Sequence, residues 1–180
     1  MNEIVINNLA FKPYLSADEI AIQVKRIANE IELDCAKHID SPTIFICVLN
    51  GAFIFASDLF RAYSAPAEIE FIKVSSYVGT SSTGTVKQIL GLNTDITARN
   101  IVIIEDIVDT GRSASEIVEY LKKLNPASIR FATLFYKPEA SVTGFTPDYI
   151  GFNIPTDFIV GYGLDYDGLG RNIPEVLIKG

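Results

Sequence analysis

The sequence predicts an α/β protein with a mostly parallel central sheet flanked by helices. Three observations carry that prediction. Residues 43–49 (TIFICVL) and 100–104 (NIVII) are short, continuous apolar runs, as in strands buried on both faces. Amphipathic, helix-period segments alternate with such runs along the chain. The 180 residues, 48% of them hydrophobic, are enough for one domain with a real core.

Each element follows from a local pattern. Ser16-Ala-Asp-Glu19 is a capping box, and Ile20, Val24, Ile27 and Ile31 follow at 4-3-4 spacing, which predicts a helix over 16–38. Residues 43–49 form a strand and 52–63 a helix. Residues 68–77 read as a strand. The small polar run VGTSSTG at 78–84 reads as a loop, with another strand at 86–90. The strand at 100–104 leads toward a helix over 113–124, with Ala114, Ile117, Val118, Leu121 and Leu124 on one side. Strands are expected at 128–136 and 158–162. In parallel sheets of this kind ligands bind beyond the carboxyl ends of the strands, so the loops that follow strands carry the chemistry.

Composition removes several function classes. One His (His38) and two Cys (Cys35, Cys47) cannot assemble a zinc site of Cys and His ligands. His38 ends the first helix, where a capping role accounts for it. A net charge of −7 disfavours a basic face for nucleic acid. The most apolar segment, 44–56, is short of the roughly 20 residues a membrane span requires and contains an Asn-Gly break. Two cysteines make no disulfide framework, and no basic-then-apolar leader opens the chain, so a cytoplasmic location is expected.

The clearest chemical signal is Glu105-Asp106-Ile-Val-Asp109-Thr110-Gly111-Arg112-Ser113. Three carboxylates end an apolar strand, and a Thr-Gly-x-Ser turn enters a helix. Backbone N–H groups and hydroxyls at a helix start form a phosphate cradle. Carboxylates beside a phosphate repel it unless sugar hydroxyls or a divalent cation lie between. The juxtaposition therefore points to a phosphorylated sugar with Mg²⁺. Neither G-x-x-x-x-G-K-[ST] nor a strand-linked G-x-G-x-x-G occurs.

IVIIEDIVDTGRS resembles the phosphoribosyl-pyrophosphate (PRPP) signature of the type I phosphoribosyltransferases. VLNGAFIFASDL, VSSYVGTSSTGTVK, FYKP and PDYIGFNIPTDFIVGYGLDYDGLGRNIPEV narrow the resemblance to the hypoxanthine–guanine phosphoribosyltransferases. It runs in order from about residue 43 to the end. It implies the type I phosphoribosyltransferase fold over 1–180, with a small hood from the N-terminal segment and about 147–180. It also implies an enzyme of purine salvage that joins PRPP to a 6-oxopurine.

The roles below are what the resemblance implies. From the residues alone, Asn50-Gly51 is a turn, 78–84 a hairpin loop, Lys137 a solvated lysine, Phe158 a core ring and 165–167 an acidic turn. By resemblance, Glu105 and Asp106 accept the ribose 2′ and 3′ hydroxyls. Asp109 is the general acid/base near purine N7. Thr110, Gly111, Arg112 and Ser113 form the 5′-phosphate loop, in which Arg112 replaces a common Lys. Leu49, Asn50 and Gly51 bind pyrophosphate, with a non-proline cis peptide before Asn50. Asn50 stands where a basic residue is often found.

Ser76 and Tyr77 head a lid that excludes water. Lys137 donates to the 6-oxo group and so disfavours adenine. Phe158 stacks on the purine and the Ile159 backbone pairs with its edge. Arg171 grips pyrophosphate. Asp165, with Glu105 and Asp106, lies toward Mg²⁺. The expected partners are PRPP and a purine base, in a homodimer or homotetramer, without nucleic acid or membrane. Two alternatives remain open: a xanthine- or guanine-preferring transferase, and a non-catalytic regulator of the same fold that senses PRPP or a nucleotide. Such a regulator would need a basic face, which the charge disfavours.

Overall fold

The computed structural model describes residues 3–35, 41–78 and 85–180, with backbone alone at 75–78 and 85–90. His38 and most of the expected lid loop, 79–84, lie outside the described residues. The main sheet has six strands. They are β3 (Thr43–Leu49), β4 (Ala67–Val78), β5 (Thr85–Leu90), β6 (Asn100–Val108), β7 (Ser128–Tyr136) and β8 (Tyr149–Asn153). Their order is β5-β4-β3-β6-β7-β8. All neighbours are parallel except β5, which returns antiparallel along β4.

Alternation along the central strands splits the core into two layers, because successive side chains of a strand point to opposite faces. Phe45, Cys47, Val102 and Ile104 pack under α1 (Ala17–Cys35) and α2 (Phe53–Ala62). Ile44, Ile46, Ile101 and Ile103 pack under α3 (Arg112–Lys122), which contributes Ala114, Ile117 and Leu121. Each fully buried Ile or Phe stabilises the fold by roughly 1.5–3 kcal/mol.

From β3 the chain steps to β4 on one side, and it reaches β6 on the other. The gap between the ends of β3 and β6 is the switch point where ligands bind in such sheets. The peptide bond Leu49–Asn50 at the end of β3 is cis.

A second, four-stranded sheet runs β1-β2-β10-β9, built from β1 (Ile4–Ile6), β2 (Leu9–Leu15), β9 (Ile159–Val160) and β10 (Val176–Lys179). All its pairs are antiparallel. It has a small core of Ile6, Phe11, Val160 and Leu177. Ile154, Ile159, Tyr162, Leu164 and Val176 join the main core.

Several boundaries differ from the sequence expectation. The capping box forms, with Glu19 N–H donating to Ser16 Oγ at 3.3 Å and Ser16 N–H to Glu19 Oε2 at 2.9 Å. The described helix ends at Cys35. The strand expected over 100–104 continues to Val108, because Ile107 and Val108 pair with Phe135 and Tyr136 of β7. Glu105 and Asp106 therefore lie inside a strand, and only Asp109 follows it.

The strand expected over 158–162 shrinks to Ile159–Val160. Gly161, Tyr162 and Gly163 all leave the extended region, with φ of 105°, 48° and 98°. Strands β1, β2, β8 and β10 have no counterpart in the expectation from local pattern. They are short or half exposed, and β2 carries Pro13 where its register with β10 shifts.

Candidate active site

The carboxyl ends of β3, β6 and β7 meet two adjoining cavities that share Ile107 and Asp109 as walls. The smaller, about 160 Å³, is lined by Glu105 and the β6–α3 turn, including Thr110, Gly111 and Ser113. Gly111 is the N-cap of α3 with φ of 79°, where a β-carbon would be strained. That β-carbon would also fall 2.5 Å from Thr143 Oγ1. Val142 N–H donates to Thr110 O at 3.1 Å, so the 141–145 loop backs the turn. Ser115 N–H already closes onto Gly111 O at 2.9 Å. Thr110, Gly111, Ser113 and Ala114 at the helix start line the cavity, where an anion gains from the helix N-terminus.

Glu105 and Asp106 are a coupled pair. Burial, then the neighbouring Asp106 charge and the hydrogen bond between the two, hold the Glu105 carboxyl well above its usual range. As a residue Glu105 keeps intermediate exposure, but its carboxyl lies deep enough for burial to dominate. Asp106 is raised too, chiefly by burial. Its bonds to Glu105 and to Ile107 N–H, at 3.0 Å, and the Arg171 charge oppose the shift. Two buried carboxyls in contact resist double ionisation, which is why both are raised together.

The larger cavity, about 330 Å³, is lined by Gly51, Asp106, Asp109, Lys137, Phe158, Ile159, Leu164, Asp165 and Arg171, with Ile107. Lys137 follows β7 and is only 6% exposed. Its Nζ donates to Asp109 Oδ2 at 3.2 Å and to Thr156 O at 3.3 Å. Phe158 is 42% exposed, and its ring is braced by Phe11 and Tyr166 at centroid distances of 6.2 and 5.7 Å. Arg171 donates to Asp165 Oδ1 at 2.5 Å and to Gly163 O at 2.6 Å. Gly168 N–H donates to Asp165 Oδ2 at 2.7 Å.

Two glycines let the parts close on each other. A β-carbon on Gly51 would overlap the Asp106 carboxylate, and one on Gly163 would overlap Gly51 O. The loop after β3 thus sits between β6 and the small sheet.

Most of the residues singled out by sequence converge here. Arg112 does not. It is exposed on α3 and lines neither cavity, which leaves the cradle to backbone and hydroxyls. Leu49 packs against the core and Asn50 is exposed, so Gly51 alone of that trio lines the larger cavity. Ser76 and Tyr77 lie on β4, and their side chains are outside the described residues. Sequence reasoning missed Ile107, Leu164, Gly163, Thr156 O and the 141–145 loop. Of these, only Gly163, within the Gly-Tyr-Gly run, carried a visible signal.

Comparison with known proteins agrees with this geometry. Residues 12–167 match the family model described as the phosphoribosyl transferase domain. The hypoxanthine-guanine phosphoribosyltransferase of Aquifex aeolicus is 38% identical over 172 residues, covering 95% of this chain and 96% of that protein. The enzyme of the same name from Mycobacterium avium is 40% identical, covering 90% of this chain and 82% of that protein.

Among solved structures, a hypoxanthine-guanine phosphoribosyltransferase from Bacillus anthracis, with HEPES in its active site, superposes with a TM-score of 0.82. It shares 33% identity and covers 94% of this chain and 96% of its own. A mutant of Trypanosoma cruzi hypoxanthine phosphoribosyltransferase, in a ternary substrates complex, gives 0.85 at 34% identity, covering 94% and 95%. The chain belongs to the phosphoribosyltransferase family and is a transferase. Within that family, these similar proteins carry the names of hypoxanthine(-guanine) phosphoribosyltransferases.

Proposed function

We propose that this protein moves the 5-phosphoribosyl group of PRPP to N9 of hypoxanthine or guanine, yielding IMP or GMP and pyrophosphate. The observation that carries this reading is the Lys137–Asp109 contact at the junction of the two cavities. A 6-oxopurine offers an acceptor at O6 and a proton on the imidazole ring. Lys137 donates to the former. Asp109 accepts the latter as N9 bonds to the sugar. Adenine presents a donor at position 6 and leaves Lys137 unmatched, a mismatch that buried polar sites reject strongly.

Phe158 stacks on the ring and the Ile159 backbone pairs with its edge. Thr110, Gly111 and Ser113 hold the 5′-phosphate. Glu105 and Asp106 accept the ribose hydroxyls, and Gly51 and Arg171 bind pyrophosphate. The small sheet serves as the hood, and Ser76 and Tyr77 head the lid. Positioning and electrostatics supply most of the rate.

No three His, Cys, Asp or Glu side chains converge as a metal cage among the described residues. The donor set instead fits an ion held mainly by substrate. Asp165 and Asp106 offer carboxylate oxygens to one cavity and Glu105 to the next. Asp165, with Glu105 and Asp106, would hold Mg²⁺. The ion supplies charge neutralisation of the pyrophosphate leaving group.

A homodimer or homotetramer in the cytoplasm completes the reading. No described helix is long and apolar enough to cross a membrane. The test is to incubate the protein with Mg-PRPP and hypoxanthine, guanine, xanthine or adenine separately, and to measure nucleotide and pyrophosphate. Product from hypoxanthine or guanine but not adenine is expected. No product from any 6-oxopurine overturns the reading.

A further inference from the structure

We infer that Tyr162 and Asp58 are a positioning pair that fixes the hood against the loop after β3, and so sets the width of the pyrophosphate end of the site. The inference rests on the reading of Gly51 and Arg171 as pyrophosphate ligands. Gly161, Tyr162 and Gly163 form three consecutive residues with positive φ, of 105°, 48° and 98°. Glycine tolerates this region, whereas a tyrosine there is strained unless its surroundings hold it.

Those surroundings are specific. Tyr162 is 7% exposed, and its Oη donates to Asp58 Oδ2 of α2 at 2.7 Å. Its backbone N–H donates to Ile173 O at 2.8 Å, and Gly163 N–H to Arg171 O at 3.0 Å. Gly163 packs so closely on Gly51 O that a β-carbon would overlap it, and Gly163 O accepts from Arg171 Nη1. Asp58 stands on the helix that begins directly after the Gly51 turn. One phenol therefore ties together both elements that carry the expected pyrophosphate groups. Gly51 comes before α2, and Arg171 is bonded to the Tyr162 segment.

The pair is well placed for a clean experiment. Tyr162 and Asp58 line an open cavity of about 540 Å³ between α1, α2 and the connection from β9 to β10. The Asp58 side chain is 43% exposed, so it rehydrates once the phenol oxygen is gone. Tyr162→Phe keeps the ring in the core and removes only the tie. Such a loss leaves no buried unpaired charge, so folding survives.

The experiment measures KM for PRPP, KM for hypoxanthine, and the dissociation constant of inorganic pyrophosphate with Mg²⁺ by calorimetry. The proteins are wild type, Tyr162→Phe, Asp58→Ala and the double variant. PRPP KM and the pyrophosphate dissociation constant should each rise about tenfold in either single variant, with hypoxanthine KM unchanged. The double variant should be no worse than Asp58→Ala, because both singles remove the Tyr162–Asp58 bond and the exposed Arg61–Asp58 contact at 4.0 Å contributes little.

Calorimetry needs no turnover, so it tests the pair independently of the proposed reaction. An unchanged pyrophosphate dissociation constant, or an equal rise in both KM values with a fall in thermal midpoint, overturns the inference. Wild type that binds pyrophosphate but forms no nucleotide overturns the reaction instead.

Discussion

The proposed sugar-phosphate side and the proposed base side of the site are built differently. Glu105 to Ser113 is one continuous strand–turn–helix, so its groups are set by local geometry and by the pairing of β6 with its neighbours. The proposed base side joins Lys137 just after β7, Phe158 and Ile159 at the start of β9, and Asp165 and Arg171 in the segment beyond. Phe158 is in turn braced by Phe11 of β2. A contiguous site tolerates change elsewhere in the molecule. An assembled one depends on how the small sheet docks, and here that docking passes through close contacts at Gly51 and Gly163.

Asp109 belongs to both sides, so its loss should be the most damaging. We expect Asp109→Asn to lower kcat by roughly 10³-fold with little change in PRPP affinity. Parallel steady-state and PRPP-binding measurements check this, and equal loss of both would remove it from acid/base work. Gly51→Ala comes next. Its β-carbon overlaps the Asp106 carboxylate, and the displaced loop should cost roughly 100-fold in kcat/KM for PRPP.

Lys137→Met confines damage to the base side. Loss of a charge-assisted bond worth about 1.5–3 kcal/mol should lower kcat/KM for hypoxanthine about 30-fold and leave PRPP binding intact. A matching fall in PRPP affinity would show that the two sides are not separable.

The smallest effect is a pH dependence of stability confined to the sugar side. Glu105 and Asp106 are raised from ordinary values of 4.5 and 3.8, so in the folded chain they keep protons that the unfolded chain releases. Their contribution is full below those values and is lost as pH rises through the raised folded range. Thermal melts of the ligand-free protein between about pH 4 and pH 8 should show this decline, and Glu105→Gln should flatten it. An unchanged slope in that variant would place the titrating group elsewhere.

Legibility in the sequence follows the same division. The buried parallel strands β3 and β6 are visible because both faces are apolar, leaving continuous runs such as TIFICVL and NIVII. The acids after NIVII conceal the true end of β6, since pairing with β7 carries the strand past two carboxylates. Strands β1 and β10 escape detection because they have three and four residues, and β2 because it is half exposed, carries Pro13 and completes its pairing across the chain, as Leu9–Leu15 does with Val176–Lys179. Glu105, Asp106 and Asp109 stand out as a cluster in sequence. Leu164 and Thr156 have no pattern to mark them.

From the sequence come the α/β class, the strand–turn–helix over Glu105 to Ser113 and its cluster of three carboxylates, while the acid/base role proposed for Asp109 rests on the family resemblance. Hydrophobic period, glycine at a positive-φ position and clustered charge all act between residues near in the chain. Only the three-dimensional packing makes Lys137 meet Asp109, leaves Arg112 outside both cavities while Arg171 lines one, and brings Tyr162 to Asp58. Those placements depend on sheet order and on the docking of the small sheet, which bring residues together over separations that no local pattern encodes.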